Sequence, residues 1–149
     1  MTKEVSNYEL RTDLFYEPEN HYWVEIKNGV ARIGLSPLVQ ETSGSFVAIQ
    51  FNQETDTFSR GESIGSLEAE KHVSHIKAPL SGKVIAKNEA VIENPRLLNT
   101  DSYGEGWLIE IELSDEEGEM KYLLQSEEEI TIWFENEIKK HEEKGWIAQ

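Results

Sequence analysis

The chain has 149 residues, no cysteine and a formal charge of −15. That length fits one domain, or one domain with a terminal appendage. The charge repels nucleic acid and anionic membranes, and the missing thiols exclude disulfide scaffolds, thiolate zinc sites and cysteine nucleophiles. Any redox chemistry must therefore come from a bound or attached group. No apolar run reaches the roughly 18 residues of a membrane helix. The start, M-T-K-E-V-S-N-Y-E-L-R-T-D, lacks the apolar core of a signal peptide. The expectation is a cytoplasmic, acidic protein whose partners present basic surfaces.

Residues 1–13 are polar and weakly patterned, which suggests a loose lead-in or a short helix. From Phe15 the chain reads as strands: F-Y-E-P, then H-Y-W-V-E-I and V-A-R-I-G-L on either side of Asn28-Gly29, a strong hairpin signal. Ser36-Pro37 can open a short helix over P-L-V-Q-E-T. The stretch S-G-S-F-V-A-I-Q-F reads as a strand, followed by a polar connector. Residues 63–69 and 73–79 form two more strands around a short polar break. Pro79-Leu80-Ser81-Gly82 is a turn, K-V-I-A-K-N a strand, and Asn94-Pro95-Arg96-Leu97-Leu98 a turn or a single helical turn. In W-L-I-E-I-E-L, Trp107, Ile109, Ile111 and Leu113 share one face.

After Leu113 the period changes. Ser114 with Glu117, and Ser126 with Glu129, match the capping box at two helix starts. The second helix aligns Ile130, Trp133, Phe134 and Ile138, places Glu135 four residues before Lys139, and meets Gly145 at its end, with Trp146 and Ile147 beyond. Residues 110–149 hold thirteen acids against four lysines, either a solvated face or a contact for basic enzymes. Strands first and helices last predict a mainly β fold: a flattened antiparallel sandwich or barrel with C-terminal α-helices.

The polar break is E-A-E-K-H. It sets Lys71 directly after Glu68 and Glu70 at a hairpin tip, with Pro79 and Gly82 stiffening the following turn. Residue chemistry alone leaves two readings: an ordinary solvated lysine, or an amine displayed for modification, with the glutamates favouring its protonated form and serving as docking contacts.

The segment G-E-S-I-G-S-L-E-A-E-K-H-V-S-H-I-K-A-P-L-S-G-K-V resembles the lipoyl-attachment segment of glycine cleavage system H proteins and, more distantly, biotinyl and lipoyl carrier domains. The resemblance extends over roughly residues 15–115 through H-Y-W-V, N-G-V-A-R-I-G-L, N-P-R-L-L-N, D-S-Y-G-E-G-W-L-I-E-I and L-S-D. It implies a fold of the lipoyl/biotinyl hybrid-motif type, with a lead-in at 1–14, a lipoyl-carrier domain at 15–115 and a helical extension at 116–149. Lys71 takes the lipoyl-lysine position. Biotin carriers flank their lysine with methionines, whereas Glu70 and His72 flank this one. A lipoate ligase or lipoyl transferase would join lipoate to Lys71 as an amide, giving a swinging arm whose dithiolane cycles between disulfide and dithiol. The chain would then be a carrier and a cofactor-bearing substrate of its partners, not an enzyme.

In that family the loaded arm folds back, and its cationic aminomethyl group meets a serine, a glutamate and an aspartate. By motif these positions fall on Asn20, Tyr22 and His75, one extra residue preceding the kept His21 and Trp23. With both acids gone, a charge-assisted contact of about 1.5–3 kcal/mol is lost. His21, Tyr22 and His75 are thus candidate lining residues of an arm and cargo groove, and His21 can equally be a satisfied, half-buried histidine. The departure favours a lipoate-binding paralogue of bacterial sulfur oxidation, serving a heterodisulfide-reductase-like complex. The alternative is an aminomethyl carrier among glycine decarboxylase, aminomethyltransferase and dihydrolipoamide dehydrogenase. A third reading is an interaction module without lipoate, against which the intact Lys71, Pro79 and Gly82 argue. His72 and His75, three apart on an extended strand, point to opposite faces, so no metal site is expected there. Trp133, Phe134 and Trp146 serve either a partner or burial of the last helix.

Overall fold

The computed structural model describes residues 2–39 and 43–144. The first segment is neither loose nor helical. β1 (Thr2–Val5) and β2 (Tyr8–Arg11) form an antiparallel hairpin, turned by Ser6 and Asn7 at φ 48° and 73°. Only Val5 and Leu10 of this pair are buried, so the sequence shows almost no alternation there. The hairpin owes its place to tertiary contacts.

β3 (Phe15–Glu17), β4 (Tyr22–Lys27) and β5 (Val30–Leu35) follow as expected. Asn28 and Gly29 both have positive φ, the backbone a two-residue hairpin requires. The expected helix at 37–42 falls partly outside the described residues; Pro37 and Leu38 form a turn. Next come β6 (Phe46–Phe51), a short β7 (Thr57–Phe58) inside the polar connector, β8 (Ser63–Ala69), β9 (Val73–Lys77) and β10 (Gly82–Lys87). A helix α1 (Glu89–Glu93), capped by Asn88, and the single turn α2 (Leu97–Thr100) lead to β11 (Ile109–Leu113).

Three antiparallel sheets result: β1-β2, a six-stranded sheet in the order β3-β4-β5-β11-β10-β7, and a three-stranded sheet in the order β6-β8-β9. The second and third face each other across the main core, with Val24, Ile33, Ile109 and Ile111 from one and Phe46, Ile49, Leu67 and Ile76 from the other. This is the sandwich that strand alternation predicts.

The C-terminal helices are α3 (Glu116–Glu119), which runs into a 3₁₀ turn at Met120–Tyr122, and α4 (Glu127–Glu143). Ser126 and Glu129 make a complete capping box on α4. The box expected at Ser114 does not form: Asp115 caps α3 instead, its side chain accepting from Gly118 N at 3.1 Å. Its carboxylate reaches the free N–H, so Ser114 is not needed. On α4, Ile130, Phe134 and Ile138 are fully buried and join Val5, Leu10, Leu14, Tyr16, Trp23 and Leu38 in a second core on the outer face of the large sheet. On α4, Glu137 pairs with Lys140 at 3.7 Å, whereas Glu135 and Lys139 do not pair. Gly145, Trp146 and Ile147 lie outside the described residues.

Candidate functional site at the β8–β9 hairpin

β8 and β9 pair up to Glu68 opposite Val73. The tip is Ala69-Glu70-Lys71-His72, closed by Ala69 N donating to His72 O at 3.0 Å. Lys71 is exposed. Its loop is braced from one side by residues 43–46. Glu70 N donates to Ser45 O at 3.0 Å and Lys71 N to Ser43 O at 3.2 Å. In return Ser45 N donates to Glu70 Oε1 at 2.7 Å, and this backbone bond holds the Glu70 carboxyl below its usual range. Glu70, expected to flank the lysine as a recognition contact, is thus engaged with its own chain. Glu68 remains exposed on β8.

The brace has its own support. Gly44 has φ 76°, and a Cβ there would lie 3.1 Å from Glu70 Oε1, so the position needs glycine twice over. Asn99 of α2 accepts from Phe46 N and donates to Gly44 O, both at 3.0 Å. On the far side of β9, Ser81 donates twice to the Glu119 carboxylate, from N at 2.6 Å and Oγ at 2.7 Å. The Pro79–Gly82 turn is thereby tied to α3.

Next to the tip lies a half-open cavity of about 230 Å³, lined among others by Glu19, His21, Tyr22, Ser43, His72 and His75. The residues expected to meet an arm therefore share one space, and their roles differ. Tyr22 is almost fully buried. Its hydroxyl accepts from Lys77 N at 3.1 Å, and burial raises its pKa, so it is a fixed, neutral wall. His75 is exposed, with Nδ1 3.2 Å from Ser63 Oγ. His72 Nε2 lies 3.2 Å from Ser43 Oγ. The two histidines were expected on opposite faces; both line the cavity, because His72 belongs to the loop and β9 begins only at Val73.

His21 has φ 60°. Nδ1 lies 3.3 Å from Ser36 Oγ and Nε2 2.8 Å from Glu137 Oε1 on α4, while the Trp133 ring packs against it, tilted by 40°, with centroids 4.9 Å apart. It is both cavity wall and satisfied histidine. Burial lowers its pKa, with Glu137 pulling the other way.

Motif comparison missed Glu19. Glu17, 2 % exposed, accepts from Glu19 N at 3.0 Å, and from Asn20 N and Nδ2 at 2.9 and 3.1 Å. These donors offset the cost of a buried carboxylate and fix a turn that sets Glu19 at the cavity. The cavity keeps an acid after all.

A lysine held at the apex of a hairpin of a flattened sandwich, beside a partly polar cavity, is the layout of a carrier domain. The glycine cleavage H-protein family matches residues 14–137. The glycine cleavage system H protein of Carboxydothermus hydrogenoformans is 40% identical over 116 residues, 78% of this chain and 88% of that protein. That of Listeria monocytogenes is 39% identical over 119 residues, 80% of this chain and 94% of its own. A crystal structure of the H protein from Mycobacterium marinum superposes with a TM-score of 0.70 at 31% identity, covering 80% of this chain and 95% of the other. The chain belongs to the glycine cleavage H-protein family, a family of lipoyl carriers.

Proposed function

We propose that Lys71 is the attachment point of a lipoyl group and that the chain serves partner enzymes as their carrier substrate. The observation that carries this reading is the exposed lysine on a tip whose backbone is bound to residues 43–46. A modifying enzyme can reach that amine without opening the fold. Glu70 is committed to Ser45, which leaves the exposed Glu68 as the carboxylate available to a lipoate ligase or lipoyl transferase. Once attached, the group supplies reversible dithiol–disulfide chemistry and covalent carriage. The protein's own part is to hold the attachment point still, and to offer beside it a cavity with a fixed phenol, imidazoles and one carboxylate.

For the cargo, aminomethyl carriage in glycine cleavage is the better-supported reading. The relatives carry that name, and Glu19 restores a carboxylate to the cavity. The partners would then be glycine decarboxylase, aminomethyltransferase and dihydrolipoamide dehydrogenase. Carriage of a sulfur species to a heterodisulfide-reductase-like complex is the second reading. It draws on His75 and Tyr22 at positions where the family places acids, and on His72 beside them.

Intact mass after incubation with a lipoate ligase tests the attachment: one lipoyl increment is expected on the native chain and none on Lys71→Arg. An increment that survives in the variant ends the proposal. Glycine–bicarbonate exchange with the lipoylated chain then separates the cargo readings. Exchange that weakens in Glu19→Gln supports aminomethyl carriage, and no exchange with competent partners supports the sulfur reading.

A further inference from the structure

His21 and the helix α4 meet in a cluster that lipoate attachment does not use. Glu137 and His141 are one turn apart on α4 and share a face. With His21 they bring two imidazoles and a carboxylate together, one ligand-type atom from each lying within 4.8 Å of the others. We propose that His21, Glu137 and His141 form a binding site for one divalent transition-metal ion of the zinc(II) type, with its open coordination position toward the cavity.

The donor set selects the metal. Two imidazoles and a carboxylate suit zinc and its neighbours, whereas calcium and magnesium want mostly oxygen ligands. Ligand atoms about 2.0–2.1 Å from a tetrahedral ion stand about 3.3 Å apart. Here His21 Nε2 and Glu137 Oε1 are already at 2.8 Å, so the cluster closes on an ion with shifts of about an ångström. That 2.8 Å contact needs an electrophile between the nitrogen and the carboxylate. In the metal-free protein a proton fills that place, and a metal ion can take it over.

The surroundings fit as well. Ser36 Oγ, 3.3 Å from His21 Nδ1, orients the ring so that Nε2 faces the cluster, and Trp133 packs against it at 4.9 Å. Lys140 approaches Glu137 through Oε2, at 3.7 Å, which leaves Oε1 on the cluster side. His21 and His141 both line the cavity of about 230 Å³, which supplies an entry path and room for a water as fourth ligand. The ion would join the loop before β4 to α4, stapling the second core to the carrier sandwich. The three ligands are in place whether or not Lys71 is modified.

Equilibrium dialysis of the full, unlipoylated chain against zinc(II), read by elemental mass spectrometry, is the test. One ion per chain is expected, falling by about tenfold or more in affinity in Glu137→Gln and His141→Gln, with folding checked by circular dichroism. A Glu116→Gln/Glu117→Gln double variant, on the exposed first turn of α3, is expected to bind as the native chain does. Cobalt(II) gives a readout without variants: intense visible absorption of a four-coordinate ion, and paramagnetic broadening centred on the Trp133 and Ser36 resonances. Failure to retain zinc, binding indifferent to Glu137 and His141, or broadening centred on His75 would each overturn the site.

Discussion

Two hairpins of this molecule are held by opposite means. β8–β9 carries Lys71 at a tip that buries little apolar surface and is fixed by hydrogen bonds, from Ser43, Ser45 and, one layer back, Asn99. β1–β2 has a free turn at Ser6-Asn7 and is fixed from below, by Val5 and Leu10 in the core beneath α4. The first arrangement keeps a side chain reachable while its backbone stays put. The second serves only to cover the outer face of the large sheet. A tip whose side chain stays exposed cannot be anchored by burying it, so directional bonds replace packing there.

The contrast is broken most forcefully at Phe134. Its ring is fully buried and meets Tyr8 edge-on at 5.8 Å, so Phe134→Ala opens a cavity under the N-terminal hairpin. A loss of about 3–5 kcal/mol is expected in urea unfolding, with the lipoylation rate of the still-folded fraction unchanged. A loss below about 1 kcal/mol, or a lipoylation defect of the folded protein, would mean that the two regions are not separable in this way.

Asn99→Ala attacks the other hairpin. It leaves Phe46 N and Gly44 O without their side-chain partner. Each bond is worth about 0.5–1.5 kcal/mol, so the expected loss is about 1–2 kcal/mol. Here lipoylation of the folded protein should slow, because the 43–46 brace loosens. If stability falls and the lipoylation rate does not, the brace is architecture alone.

What the sequence disclosed follows the same division. Asn28-Gly29, the Ser126–Glu129 box and the Ile130–Trp133–Phe134–Ile138 stripe are local signals, and each element forms where those residues put it, with Trp133 only partly buried at the stripe's edge. β1–β2 was illegible because only Val5 and Leu10 of its residues are buried, against a helix more than a hundred residues away. Asp115 took the cap from Ser114 because both are good cap residues and only the backbone path decides between them. At the site, Lys71 could be singled out from its flanking glutamates and strands. Ser43, Gly44 and Asn99 could not, since their roles exist only once β6 and α2 lie beside the tip. Glu19 could not be singled out either, since it reaches the cavity only through the turn that Glu17 ties down.

The smallest expected effect lies at the exposed end of the N-terminal hairpin. Arg11 Nη2 donates to Asp13 Oδ2 at 2.7 Å and Nε to Oδ1 at 3.2 Å. This pair is the largest of the influences that lower the Asp13 carboxyl from 3.8 to about 2, its own backbone N–H being a smaller one. Its folded pKa is thus below the unfolded one, so the stabilisation is complete above about pH 4 and drains away as pH falls toward 2. Taken at face value such a shift is worth about 2.4 kcal/mol. The Asp13 side chain is 39% exposed, however, and water and salt screen the pair to below about 1 kcal/mol. Asp13→Asn should therefore melt slightly below the native chain at pH 6 and low salt, with the gap closing by pH 2 and shrinking as salt is added. A gap that ignores both pH and salt would assign the residue to the turn itself, not to its charge. The hairpin would then be held by packing alone, as the comparison with the Lys71 tip requires at its strictest.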